Sequence, residues 1–318
     1  MSAPSLQIPP RKGATKVSVA DTAHPGATWL FAAQIAVLFV ITGAVVTRYW
    51  SDHLWLGWGL VAIATLLWAP ELGRDRARRW WFVYVAGIFA YTLLRSYADE
   101  TFIPTRTTYV IRLEELFPGP EPISALQPKF FDPGHIDWFD GAMVLVHWSF
   151  FVAPHLGAIL VFLFRRELFP RYVTLMVGIM YAGLALFFLA PTTPPWLAAQ
   201  EGHLGNVFRV MDFVGGNVDR DTYQSFYASL GEPNSVAAMP SIHMAATFAL
   251  FLWVFDSARR WSWPLLAYSV LMGFALVYLA EHYITDELVG VACALGVFWL
   301  ARKYVPPMRE SEPQAARR

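Results

Sequence analysis

Two short clusters in this chain carry side chains that can do chemistry together. Ala238-Met239-Pro240-Ser241-Ile242-His243 opens one apolar stretch, and Glu281-His282-Tyr283-Ile284-Thr285-Asp286 joins two others. His282 and Asp286 stand four residues apart, the spacing that puts two side chains on one face of a helical turn. A carboxylate beside an imidazole accepts its Nδ1 proton, fixes the tautomer and leaves Nε2 bare on the far side of the ring. An imidazole held that way is a nucleophile suited to phosphorus. His243 supplies the complementary half, because its ordinary pKa lies near working pH and lets it protonate a leaving oxygen. Ser241 and the backbone N–H groups at the start of the same stretch make an anion site. Pro240 fits a first helical turn, where its missing N–H costs nothing.

What must position these groups is a set of membrane helices. The 318 residues are 56% hydrophobic and only 15% charged, where a soluble domain has about 25% charged residues. The 24 basic and 24 acidic residues balance, so no basic excess points to nucleic acid. Cys293 is the only cysteine, which excludes an intrachain disulfide and a cysteine-based metal site. Eight stretches approach the roughly 20 apolar residues that cross a bilayer: 29–47, 54–70, 80–97, 140–164, 172–190, 239–255, 264–281 and 286–301. The expected fold is therefore all-α, a polytopic helix bundle of about eight spans with two long outer loops. Residues 1–28 read as a flexible cytoplasmic tail, 29–301 as one transmembrane domain with a catalytic core at about 172–301, and 302–318 as a second cytoplasmic tail. The first span is too long and too far from the N-terminus for a cleaved signal and reads as an uncleaved anchor.

The segments 1–28, 71–79, 165–171, 256–263 and 302–318 hold 17 of the 24 Lys and Arg residues, and all five fall on one side if eight spans alternate. The positive-inside rule then places both termini in the cytoplasm. Both histidine clusters lie at the outer ends of spans, so 39 residues of separation can close up in space. The outer loops are 98–139, with six prolines around one helical pattern from Tyr109 to Phe117, and 191–238. In the second loop Leu204, Val207, Phe208, Met211 and Val214 recur at helical spacing, which suits either an interfacial helix or a lid packed on the spans. Pro154 can kink the fourth span. His147 and His155 lie inside that span; an intramembrane histidine is a functional candidate by default, and a structural role is the plainer reading.

Pro-Ser-x-His followed one hairpin later by His-x-x-x-Asp resembles the type 2 phosphatidic-acid phosphatase superfamily. The branch containing fungal inositol-phosphorylceramide synthases is the more similar, through Pro191-Thr192-Thr193-Pro194-Pro195-Trp196, Pro240-Ser241-Ile242-His243 and His282-Tyr283-Ile284-Thr285-Asp286, over about residues 190–290. The resemblance implies a metal-independent phosphotransferase without a cofactor. His282 would form a phosphohistidine, Asp286 would orient it, and His243 would act as acid and then base. Pro194, Pro195, Trp196, Pro240 and Tyr283 would support the motifs. The phosphatase branch's Lys-x6-Arg-Pro and Ser-Arg-x5-His are absent: Leu276 and Ala275 stand six and seven residues before His282. Ile242 replaces the Gly of Pro-Ser-Gly-His, and Met239 stands where the synthase branch often has Gly. A phosphate-binding cation is thus not given by motif. Arg95, near the outer end of the third span, is the candidate beside Ser241, with snorkelling to headgroups as its plainer role; Arg209 and Arg220 are alternatives.

The leading expectation is an integral membrane enzyme that moves a phosphate or phospho-headgroup, inositol phosphate among them, on the non-cytoplasmic face. Its partners would be a membrane lipid donor and a polar or lipid alcohol acceptor. A lipid phosphate phosphatase using the same residues is the first alternative. Haem bound between two histidines and transport are the alternatives of other classes. The arginine pattern sets a topology test: a cysteine placed at Gln200 or Gly231 is expected to react with an impermeant thiol reagent on intact cells. Labelling only after lysis would reverse the orientation.

Overall fold

The computed structural model describes residues 76–95, 103–218 and 237–308. The expected spans 29–47 and 54–70, the N-terminal tail, most of the C-terminal tail, Arg220 and Gly231 lie outside them. Every regular element among the described residues is a helix: α1 (Arg76–Arg95), α2 (Thr108–Glu114), α3 (Pro122–Phe130), α4 (Trp138–Ser149), α5 (Ala153–Phe164), α6 (Phe169–Leu189), α7 (Pro195–Gln200), α8 (Val210–Val218), α9 (Ile242–Ala258), α10 (Trp263–Tyr278) and α11 (Ile284–Tyr304). Isolated bridges at Arg106–Thr192 and Thr192–Ala237 tie the connecting segments together.

Residues 166–189 and α11 are each long and apolar enough to cross a bilayer, and α4 with α5, bent by 44°, makes a third such span if the pair counts as one. The expectation of eight spans is met only to that extent. The shortfall has a local cause at two of the expected spans, because the chemistry-bearing motifs cut their helices short. α9 begins at Ile242, not at 239, because the Ser241 hydroxyl caps it by accepting the N–H of Met244 at 3.2 Å. Pro240, joined to Met239 by a cis peptide bond, therefore lies outside the helix, not in its first turn. α10 ends at Tyr278, not at 281. There Glu281 donates to the carbonyl of Leu276 (3.0 Å) and Ala280 to that of Val277 (3.1 Å), the bond pair of a Schellman turn. Ala280 occupies the left-handed position at φ 62°, where glycine is usual. Its methyl is fully buried, and the turn throws Glu281 and His282 sideways out of the helix.

The bend between α4 and α5 falls at residues 150–152, with Pro154 in the first turn of α5. The Pro154 carbonyl accepts the hydroxyl of Tyr172 at 2.6 Å, so α6 braces the bend. The two expected loops hold short helices that pack on the bundle. α2 starts one residue before the expected 109–117 pattern and ends at Glu114. The 204–214 pattern is helical only from Val210, and Val210 and Met211 bury fully against Ala275, Tyr278 and Leu279, so this segment is a packed lid. Gln127 on α3 clips it in place: its Nε2 donates to the carbonyls of Phe208 (2.7 Å) and Tyr278 (2.9 Å), and its Oε1 accepts the Phe208 N–H (2.9 Å). Trp261, Trp263, Trp299 and Tyr304 are exposed at the end of the bundle remote from His243 and His282, and Trp138 is exposed at the other. Aromatic residues at both ends fit the two interfaces of a bilayer.

Small residues let the inner helices meet at backbone distance, as membrane helices require. Ala245, Ala246 and Ala249 of α9 and Ala294 of α11 lie in one buried cluster. Gly290 of α11 faces the Ser241 carbonyl so closely that a Cβ there would run into it. Gly290→Ala is expected to force α9 and α11 apart and cost about 1–3 kcal/mol, read as a lowered melting temperature in detergent. An unchanged melting temperature would mean the two backbones are not in contact there.

Candidate active site

His243 is the second residue of α9, and His282 stands two residues before α11. Their facing nitrogens, His243 Nδ1 and His282 Nε2, are 3.3 Å apart. On the other side of the His282 ring, Nδ1 faces Asp286 Oδ2 at 3.5 Å. That is an ion-pair distance, longer than a formed hydrogen bond. His282 is not on the helix, so the pair does not share a helical turn as the spacing suggested. Tyr283 is extended at the N-cap, and Asp286, at the third helical position, turns back to accept the Tyr283 N–H at 2.9 Å. The turn that caps α11 thus brings Asp286 under His282.

Three supports hold this turn. The Asp286 carbonyl accepts the N–H of Ser241 at 3.0 Å, which joins the two histidine clusters directly. Glu114, almost fully buried on α2, accepts the backbone N–H of Thr285 (2.8 Å), the Thr285 hydroxyl and the N–H of Ile284 (3.3 Å). A carboxylate there satisfies orphan donors of the helix N-terminus and lies at the favourable end of its dipole. Burial raises the Glu114 carboxyl above its ordinary value, against the opposing pull of the bonds from Thr285 and Ile284. Trp196 donates its backbone N–H to the carbonyl of Ala280 at 3.1 Å, so the Pro194-Pro195-Trp196 motif, with Pro194 capping α7, is a strut for the Schellman turn.

Arg209 lies over the Trp196 ring at 4.6 Å and donates to Glu281 at 2.8 Å (Nε to Oε1) and 3.5 Å (NH2 to Oε2). Burial raises the Glu281 carboxyl, but the Arg209 charge and hydrogen bonds outweigh it, with His147 and His282 adding to the pull, and the net shift is downward. The sign follows: a carboxyl that titrates lower when folded contributes stability that is full above the ordinary glutamate value and drains as pH falls through the folded value.

A cavity of about 300 Å³ opens onto the histidine pair. His147, His155, His243, His282, Arg95, Arg209 and Glu281 give it polar groups, and Ile88, Tyr91, Phe150, Phe151, Met180 and Phe187 give it apolar walls. Of the residues singled out in sequence, the structure brings His147, His155, His243, His282, Arg95 and Arg209 to this cavity, with Asp286 behind His282. Ser241 is not brought to it: the side chain is fully buried and its hydroxyl caps α9. Pro240 and Tyr283 are likewise buried beneath the site, not facing the cavity. Sequence reasoning missed Glu114 and Glu281. The one available signal was an acid placed where apolar neighbours would bury it, since Glu281 adjoins His282 and Glu114 sits among Ile111, Leu113 and Phe117.

The helical bundle thus sets two imidazoles at one cavity, with a carboxylate behind one of them. Residues 138–300, just over half of the chain, match the family model described as the PAP2 superfamily, and the chain belongs to that superfamily. It is also similar to the phosphoinositol dihydroceramide synthase of Bacteroides thetaiotaomicron, 26% identical over 160 residues that make up 46% of this chain and 50% of that protein. The chain therefore spans about half the length of that curated relative. No solved structure matches it.

The Arg209–Glu281 pair is open to a double-mutant test. Arg209→Gln strands a buried carboxylate and is expected to cost about 3–5 kcal/mol, while Arg209→Gln combined with Glu281→Gln recovers most of the loss. Equal destabilisation in the single and double variants would show that the two side chains are not coupled.

Proposed function

We propose that this protein is an integral membrane lipid phosphotransferase that works through a phosphohistidine on His282, on the non-cytoplasmic face, with both termini in the cytoplasm. The observation that carries the reading is the alignment Asp286 Oδ2, His282 Nδ1, His282 Nε2, His243 Nδ1, which ends at a cavity with a cationic rim and apolar walls. Asp286 keeps the proton of His282 on Nδ1, so the Nε2 lone pair is free. That lone pair forms the N–P bond as the bond from phosphorus to the leaving oxygen breaks, and protonated His243 delivers a proton to that oxygen. In the second half, His243 takes the proton of an acceptor hydroxyl, the new O–P bond forms and the N–P bond breaks. Arg95 and Arg209 supply positive potential to the phosphoryl oxygens. The apolar walls suit a donor whose tails stay in the bilayer.

Water in place of the alcohol would make the same residues a phosphatase. The name of the Bacteroides relative, a synthase, favours transfer, and a phosphoinositol headgroup is the first donor to try. Membership of the PAP2 superfamily argues against the haem and transport readings.

Purified protein given 32P-labelled phosphatidylinositol is expected to hold acid-labile label on the polypeptide. His282→Ala should hold none, and His243→Ala should form it about 10²–10⁴ times more slowly. If His282→Ala traps as much label as the parent, another residue is the nucleophile.

A further inference from the structure

His147 belongs to none of the three motifs, yet it lines the same cavity as His243 and His282. It is 4% exposed, on the last turn of α4. Its ring lies against the His243 ring with centroids 4.6 Å apart and planes tilted by 41°. Phe150 also packs against His243, at 4.4 Å. The Nδ1 of His147 is enclosed and meets no hydrogen-bond partner.

A neutral imidazole carries one proton, on one nitrogen or the other. An enclosed N–H with no acceptor forfeits its hydration for nothing, so Nδ1 is the poorer place for that proton. The proton belongs on Nε2, on the opposite side of a ring that borders the cavity. Packing alone gives no reason for a histidine at this position, since a phenylalanine would support His243 equally well without burying a bare nitrogen. The Lys-x6-Arg-Pro motif is absent, and the cations at the cavity are Arg95 and Arg209, the latter shared with Glu281 and Trp196, so a neutral N–H donor beside them has a place in the site.

Resting on the phosphotransferase reading of this site, we propose that His147 is a third imidazole of the active site, whose Nε2–H donates to a non-bridging phosphoryl oxygen of the lipid phosphodiester as phosphorus passes to His282. No bond to His147 forms or breaks. Its donation strengthens as charge gathers on that oxygen, and a preorganised donor on a largely buried ring acts far more strongly there than in water.

His147→Phe keeps the ring and its contact with His243 but removes the donor; His147→Gln returns an N–H near the Nε2 position. The reading is the single-turnover rate at which 32P-labelled phosphatidylinositol labels the protein in detergent. His147→Phe is expected to slow labelling about 10²-fold while the donor KM stays within about threefold, and His147→Gln to recover at least about tenfold of the loss. Labelling of His147→Phe at the parental rate, or of His147→Gln no faster than His147→Phe, overturns the donor role. If the parent takes no label, the phosphotransferase reading fails and the donor role fails with it; if the parent labels and His147→Phe matches it, only the donor role fails. Should His147→Phe not fold, as judged by its melting temperature, His147→Asn replaces it. Its shorter amide reaches only the Nδ1 position, and the same gap from His147→Gln is expected.

Discussion

Asp286 holds the two histidine clusters in register. Its backbone carbonyl takes the N–H of Ser241 at the head of α9, and its carboxylate takes the N–H of Tyr283 and faces Nδ1 of His282. Because His243 follows Ser241 by two residues and His282 precedes Tyr283 by one, a single residue sets the placement of both imidazoles. The arrangement demands that α9 and α11 approach at backbone distance, and Gly290, one turn beyond Asp286, permits it. It also demands that a carboxylate be buried, which is tolerable only if hydrogen bonds replace water around it. The turn before α11 supplies one such donor, the Tyr283 N–H, while Oδ1 of Asp286 is buried with no hydrogen-bond partner; Glu114 satisfies the neighbouring N–H groups that Asp286 leaves unmet.

The frame around that contact is braced on one side and opens to a cavity on the other. Trp196, Arg209 and Glu114 reach the His282 turn from three separate segments, so its position does not rest on the helix ends alone. His243 is confined by rings, with Phe150 and His147 against it and Phe151 farther out. The 3.3 Å between His243 Nδ1 and His282 Nε2 is a direct contact. It is too short to hold phosphorus on one nitrogen and a hydrogen-bonded leaving oxygen on the other. On the proposed mechanism substrate entry parts the two rings, and the cavity beside His243 gives the room to do so.

The two histidine clusters were legible because each is short, and the residues of each act across a few positions of chain. Their meeting was legible from hairpin logic, since successive antiparallel helices share an end. The helix bounds were less so, because apolar runs do not reveal a cap: Ser241 and Ala280 stop their helices inside stretches that read as continuous. Ser241 itself read as a phosphate ligand, because a hydroxyl at a helix start serves an anion or a cap equally well until its partner is seen. The supports from Glu114 and Arg209 were not legible. Their bonds span 171 and 72 residues of sequence, and no periodicity carries information across a packed loop.

Imaging the protein at high resolution with vanadate, which takes the trigonal-bipyramidal shape of phosphoryl transfer, tests the alignment most directly. Vanadium is expected on Nε2 of His282, with Asp286 closed onto Nδ1 and His243 drawn back to face an apical oxygen. Vanadate held elsewhere in the cavity while His243 and His282 stay in contact would contradict the assignment of His282 as the nucleophile.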